Sequence, residues 1–152
     1  MPIESNEPVY QSLYRHGVDE KRRVQIPAKW RPAEAGVELT IVLWPKHKEG
    51  SCLRVLPPEK MASTVKDIEA LPNSDPSKSV LKRLIGSKSV QVSLDSAGRI
   101  CLPEEMVKAA GIGKEVNLVG VLDSYEIWDP ARYERVSLSD EIMASEAFKY
   151  ME

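Results

Sequence analysis

What this chain has little of removes most function classes before any motif is read. It has only two histidines, His16 and His47, both in polar, turn-like stretches and neither part of a triad or a metal-ligand pattern. Its two cysteines, Cys52 and Cys101, lack metal-ligand spacing and fall in apolar, strand-like runs, so both read as reduced, buried thiols. No catalytic residue, metal, cofactor or small-molecule substrate is therefore expected. No apolar run reaches the roughly 20 residues needed to cross a bilayer, and Met1 to Glu7 has neither the basic nor the apolar part of a signal peptide. A cytoplasmic protein with no membrane partner is the expectation. Nor is positive charge in excess: 21 Lys and Arg against 23 Asp and Glu leave a net charge of −2, which excludes a bulk polycation that coats nucleic acid.

What is present describes a globular chain: 42% apolar and 29% charged residues over 152 positions. Either half alone is near the lower size limit for an adequate core, so the halves are expected to share one. Charge is unevenly placed. From Arg15 to Arg31 there are six basic residues (Arg15, Lys21, Arg22, Arg23, Lys29, Arg31) against Asp19 and Glu20, a local net of +4. The tail from Ser137 carries Asp140, Glu141, Glu146 and Glu152 against Lys149 alone. Local charge decides whether a surface can meet phosphate, so the acidic total does not exclude nucleic acid.

One stretch occurs twice. Asp19-Glu20-Lys21-Arg22-Arg23-Val24-Gln25-Ile26-Pro27 returns as Asp95-Ser96-Ala97-Gly98-Arg99-Ile100-Cys101-Leu102-Pro103, with Asp, Arg, aliphatic and Pro positions all 76 residues apart. That period is too long for a solenoid unit and suits two small units in tandem. Alternation predicts strands near Val9–Tyr14, Val24–Ile26, Leu39–Trp44, Cys52–Leu56, Val90–Leu94, Arg99–Leu102, Val116–Val121 and Tyr125–Trp128. A turn is expected at His16-Gly17. Short helices are expected to start at Pro27, Pro103 and Pro130, where a missing N–H costs nothing. Two helices, from Pro58 to Leu71 and up to Gly86, read as a hairpin between the repeats. The segment up to Pro8 reads as frayed, and the tail as a separate helix capped by Ser137 or Ser139, or as disorder. Leu84, Ile85, Trp44 and Trp128 read as core or interface residues, with core the preferred role for each. The resulting division is repeat 1 at 8–57, connector at 58–88, repeat 2 at 89–135 and tail at 136–152.

The paired motifs resemble the MraZ family, bacterial transcription regulators built from two AbrB-like (SpoVT-AbrB) domains. Further matching stretches are Cys52-Leu53, Ala110-Gly111-Ile112, Leu118-Val119-Gly120 and Glu126-Ile127-Trp128. The resemblance implies a mainly β fold, a double-split β-barrel of the swapped-hairpin AbrB-like kind formed by two tandem repeats in one chain, with short peripheral helices. It also implies ring-shaped homo-oligomers and binding to repeated promoter boxes in double-stranded DNA upstream of the division and cell-wall gene cluster, hence a nucleoid-associated regulator. Two positions depart from the family pattern. Ser12 stands where a Gly is expected, and Arg22 precedes the motif Arg where Gly is usual, as it is at Gly98. Either the first turn has another shape, or Arg22 accepts a left-handed conformation at a cost of roughly 1–2 kcal/mol.

Chemistry assigns roles to the motif residues. Asp19 and Asp95 can accept turn N–H groups and tether the Arg four positions on, with Gly98 shaping its turn. A purely internal Asp–Arg clasp is one reading. The other is that the clasp presents Arg23 and Arg99 outward, where a planar guanidinium suits guanine edges and phosphates. Lys21 and Arg22 suit phosphate contacts, Arg15 could join the same face, and Lys29 and Arg31 flank it. Paired carboxylate catalysis fails, because an adjacent Arg keeps each Asp ionised and a poor general acid. The alternative function is an oligomeric AbrB-like scaffold or an antitoxin-type protein-binding module whose tail grips a partner.

Overall fold

A computed structural model describes residues 9–152, apart from the side chains of residues 45–47. The stretch before Val9, expected to be frayed, and the His47 side chain lie outside the described residues. The chain is mainly β. Its strands are β1 (Leu13–Gly17), β2 (Arg23–Gln25), β3 (Leu39–His47), β4 (Gly50–Leu56), β5 (Ser89–Val92), β6 (Arg99–Cys101), β7 (Glu115–Gly120) and β8 (Tyr125–Trp128). Helices α1 (Pro58–Glu69) and α2 (Pro76–Ser87) separate the halves, α3 (Glu104–Ala109) follows β6, and α4 (Pro130–Phe148) ends the fold. Where α3 stands in the second half, the first has one 3-10 turn, Ala28–Trp30.

The halves exchange strands. Six strands form an antiparallel sheet in the order β1-β7-β8-β4-β3-β5, so that β1 of the first repeat pairs with β7 of the second and β5 of the second with β3 of the first. The exchange is symmetric to within one residue: His16 faces Val116, and Val92, 76 residues after His16, faces Leu39, 77 residues before Val116. The two motif strands, β2 and β6, leave this sheet and pair with each other as a two-stranded ribbon. Val24 and Ile100, also 76 residues apart, lie directly opposite one another and are fully buried, which places an approximate two-fold axis between them. The expected shared core is observed: Val24, Ile26, Ile100 and Leu102 of the ribbon join Ile41, Leu53, Val55, Val116, Leu118 and Ile127 of the sheet in one cluster.

Several elements differ from expectation. The first strand is Leu13–Gly17, not Val9–Tyr14; Tyr10 instead makes an isolated bridge to Leu122, and His16-Gly17 is strand, not turn. Ser12, where a glycine is expected, sits between them at a φ of 87°. The last two helices are one: α4 is capped by the Asp129 side chain, which accepts from the Arg132 N–H, and Ser137 lies inside it. Neither α1 nor α2 buries any residue, and Leu84 is 38% exposed, so its expected core role is not observed. Trp128 is buried, in a smaller cluster with Cys52, Val119 and Val136, and the half-buried Trp44 packs against it. Burial pushes the Cys52 thiol up to about 12, which keeps it protonated and inert. Cys101 is the exception to the buried-thiol reading: it is exposed, on the open face of the ribbon.

An aromatic group fills the core beneath the 3-10 turn. Trp30 lies 4.8 Å from the Tyr125 ring and 6.0 Å from Tyr10, and its indole N–H donates to the Gln11 carbonyl at 3.2 Å. The Tyr125 hydroxyl is buried with no hydrogen-bond partner among the described residues. An unsatisfied buried hydroxyl costs about 1–3 kcal/mol. Tyr125→Phe removes that oxygen and keeps the ring, so it is expected to stabilise the fold by about 1 kcal/mol. A urea-unfolding midpoint below that of the wild type would contradict this account.

Candidate nucleic-acid interface

The two motifs form the same hairpin tip. In the first, the Arg22 N–H donates to the Asp19 carbonyl at 2.9 Å, and the Asp19 N–H to the Arg23 carbonyl at 3.1 Å. In the second, Gly98 donates to Asp95 at 3.0 Å and Asp95 to Arg99 at 2.9 Å. Three residues thus close each tip, and the third needs a positive φ for the strands to rejoin with their natural twist. Gly98 adopts a φ of 77° and Arg22 one of 61°. The choice left open at Arg22 is resolved: the turn keeps its shape, and Arg22 takes the left-handed conformation.

Each Asp side chain binds three N–H groups. Asp19 Oδ1 accepts from the backbone of Lys21 (2.9 Å) and Arg23 (2.8 Å), while Oδ2 accepts from Arg23 Nε at 2.7 Å. Asp95 Oδ1 accepts from Ala97 and Arg99, both at 2.9 Å, and Oδ2 from Arg99 Nε at 2.9 Å. The backbone N–H of Arg23, with the Arg23 guanidinium and the Lys21 N–H behind it, holds the Asp19 carboxyl below the ordinary range. The Arg99 N–H leads the same effect at Asp95, followed by the Ala97 N–H and the Arg99 guanidinium.

A depressed folded-state pKa gives a defined sign. The stabilisation is complete above the unfolded value, about 3.9 for Asp, and is lost as pH falls through the lower folded value. Melting temperature is therefore expected to fall more steeply below about pH 4 in the wild type than in an Asp19→Asn, Asp95→Asn double variant. Parallel melting curves in a pH series would contradict the clasp.

Tethering through Nε leaves the four N–H groups on the two Nη atoms at the outer end of each guanidinium. Arg23 and Arg99 are equally exposed, 31% in each case, and no second acceptor among the described residues contacts either. The internal clasp and the outward presentation are therefore one geometry. Cross-repeat bonds steady it further. Gln25 Nε2 on β2 donates to the Ala97 carbonyl of the second tip at 2.7 Å, and Cys101, at the equivalent place on β6, directs its Sγ to the Lys21 carbonyl of the first at 3.3 Å. Sequence reasoning missed both supports. Their equal 76-residue spacing, like that between Lys21 and Ala97, was the available signal.

The remaining basic residues are placed differently. Lys21 is exposed at the first tip. Arg22 is half-buried, and its Nε donates to the Leu102 carbonyl at 3.0 Å. Arg15 is not joined to either tip; it makes an exposed ion pair with Glu115 on β7 at 2.9 Å. Lys29 is exposed on the 3-10 turn. Arg31, expected beside the first turn, lies against the second, its Nε donating to the Ile26 carbonyl at 2.9 Å. Among the described residues no group of three or more His, Cys, Asp or Glu could hold a metal, and no helix is long and apolar enough to cross a membrane.

Arg22 allows two opposed effects to be weighed. Arg22→Gly relieves roughly 1–2 kcal/mol of left-handed strain but removes a hydrogen bond from a charged donor, worth about 1.5–3 kcal/mol. The two nearly cancel, so the unfolding free energy is expected to change by no more than about 1 kcal/mol. Urea titration checks this, and a larger loss would make Arg22 chiefly structural.

A two-repeat β protein that exchanges strands between its halves and holds two matched arginines on carboxylate-braced hairpin tips is the class defined so far. Comparison with known proteins makes it specific. Residues 86–150 match the family model "MraZ protein, putative antitoxin-like". The chain is 31% identical over 130 residues to the Transcriptional regulator MraZ of Acidithiobacillus ferrooxidans, covering 83% of this chain and 86% of that protein. With the protein of the same name from Rickettsia rickettsii it shares 33% identity over 129 residues, 84% of this chain and 85% of the other. With that of Rickettsia felis the identity is 32% over 140 residues, covering 91% and 93%. The chain belongs to the MraZ family and is, with these relatives, a transcriptional regulator.

Proposed function

We propose that the chain regulates transcription by binding repeated boxes in double-stranded promoter DNA, with Arg23 and Arg99 as the reading side chains. The observation that carries this reading is the matched pair of guanidinium groups, each fastened at Nε by an Asp and exposed at its outer end. Such a group presents a fixed, planar donor pair, the geometry suited to guanine O6 and N7. Lys21 and Arg22 supply phosphate contacts at the first tip, and Arg15 reaches the backbone further out after exchanging its partner Glu115 for phosphate. Asp19, Asp95 and Gly98 shape the tips and touch no base.

Few cations per subunit predict weak single-site binding, so a ring-shaped homo-oligomer that engages several boxes at once belongs to the same proposal. The strand exchange and the β2–β6 ribbon support reading the fold as a double-split β-barrel. Its repeats are 8–57 and 89–135, joined by 58–88 and followed by a tail at 136–152. The family resemblance further supports promoter boxes of the division and cell-wall gene cluster and a nucleoid location. No step in this function requires a catalytic group, a cofactor or a small-molecule substrate.

An antitoxin-type module that grips a protein partner is the second reading. The exposed apolar residues of α4 favour it, Ile142 at 80% and Phe148 at 69%, together with the antitoxin-like description of the matching family. Titration of the wild type with a duplex of direct promoter repeats, and with a scrambled duplex, across a salt series separates the two. Selective binding whose log K falls linearly with log salt is expected. A wild type that fails to distinguish the duplexes overturns the DNA reading in favour of the second.

A further inference from the structure

The second tip lacks a cation that the first possesses, and a residue distant in sequence occupies the equivalent place. At the first tip the Leu102 N–H donates to the Arg22 carbonyl at 2.8 Å, and the Leu102 carbonyl accepts from Arg22 Nε at 3.0 Å. Leu102 corresponds to Ile26, and Arg22 to Gly98, at the same 76-residue spacing. At the second tip the Ile26 N–H donates to the Gly98 carbonyl at 3.0 Å, but Gly98 has no side chain to return. Arg31 takes that role: its Nε donates to the Ile26 carbonyl at 2.9 Å.

Its guanidinium also covers Gly98 closely. A Cβ on Gly98 would lie 2.4 Å from Arg31 Cζ and 2.5 Å from Nε. The volume that Arg22 uses through its own side chain is thus filled at the second tip by Arg31, reaching in from the end of the 3-10 turn. An open cleft of about 450 Å³ adjoins this point, its charged and polar lining being Arg31 with Glu34, Asp95 and Ser96, beside Gly98.

Charge follows the same symmetry. Residues 19–23 hold Arg22, Arg23 and Lys21 against Asp19 and Glu20, a net of +1. Residues 95–99 hold Arg99 against Asp95, a net of zero, and Arg31 raises this to +1. Both tips then carry one Asp-braced Arg and one Arg bound through Nε to the carbonyl that pairs with the tip, Arg22 to Leu102 of the opposite repeat and Arg31 to Ile26 of its own.

We propose that Arg31 is a DNA-binding residue of the second tip, the counterpart of Arg22, contacting phosphate beside Arg99. This rests on the DNA-binding reading above. The test is the slope of log K against log salt for a mixed-sequence DNA duplex, measured with wild type, Arg23→Ala, Arg31→Ala, Arg31→Gln and Arg31→Lys. Arg31→Ala and Arg31→Gln are expected to lower the slope by about 1 for each engaged subunit. Arg31→Lys restores the slope. Glutamine can still donate to the Ile26 carbonyl without a charge, so it separates charge from packing if the alanine variant does not fold.

If the wild type binds, Arg23→Ala weakens binding and the neutral Arg31 variants keep the wild-type slope, this inference falls and the DNA reading stands. Salt-independent or absent binding by the wild type overturns both. A slope lost equally in Arg31→Lys assigns Arg31 to packing and overturns the phosphate contact.

Discussion

Alanine at both Arg23 and Arg99 is expected to abolish sequence-selective DNA binding while leaving the fold intact. A bidentate contact to a base is worth about 1–3 kcal/mol, roughly 5- to 150-fold in affinity, and the double variant removes one from each tip. Repetition around an oligomer multiplies the loss, because avidity depends on every tip engaging together. Stability is expected to change little, since each arginine's tie to its Asp is solvent-exposed and screened. Fluorescence anisotropy with repeat and scrambled duplexes, alongside thermal unfolding, reads both effects. Retained selectivity in a folded double variant would remove the arginines from the reading role. A single Arg23→Ala or Arg99→Ala variant should fall between, and similar losses from the two would show that the tips act as equals.

The second large effect concerns the ribbon that carries both tips. Ile100 is fully buried opposite Val24, and β2 and β6 have only three paired residues each. Ile100→Ala is expected to cost about 2–5 kcal/mol through lost burial and the cavity it leaves. Net stabilities are commonly about 5–15 kcal/mol, so this single change could consume a large share of the total. Because Ile100 adjoins Arg99 on a strand this short, loosening of the second tip should accompany the loss, with weaker DNA binding at temperatures where the protein remains folded. An unfolding free energy, read from urea titration, lowered by less than about 0.5 kcal/mol would show that the sheet core holds without the ribbon.

The tips were legible in the sequence because their chemistry is local. Asp, three residues and Arg specify their own bonds, and Gly98 announces a positive φ. Arg22 could be read only as a dilemma, since a left-handed arginine is recognised by its backbone and not by its letter. The strands were legible from alternation, but their partners were not. Nothing near Leu13 points to Val119, and which of several apolar strands pairs with which depends on how the whole core closes. Cys101 looked buried because it stands in an apolar run, yet on a short strand that alternates its faces the neighbours Ile100 and Leu102 take the core and leave Cys101 outside. Arg31 was attached to the first tip by proximity in sequence, whereas the ribbon brings Ile26 beside Gly98 and carries Arg31 to the second. Ser137 resembles a cap only while the helix from Pro130 is read as short; Asp129, just before Pro130, is the cap that the structure uses.

The strand exchange has a consequence during synthesis. Leu13 pairs with Val119, so β1 must wait for more than a hundred further residues before its partner exists. At about 5–20 residues per second, the delay is on the order of 5–20 seconds. Once made, β3 and β4 of the nascent first repeat stand without β8 beside them through the rest of that interval, and Val24 stands without Ile100 for most of it. A crowded polysome holds many such half-made chains side by side, each with the open edges that its own second repeat will later occupy. The second repeat of a neighbouring chain could fill them equally well, so the timing of translation helps decide whether the two repeats of one molecule find each other.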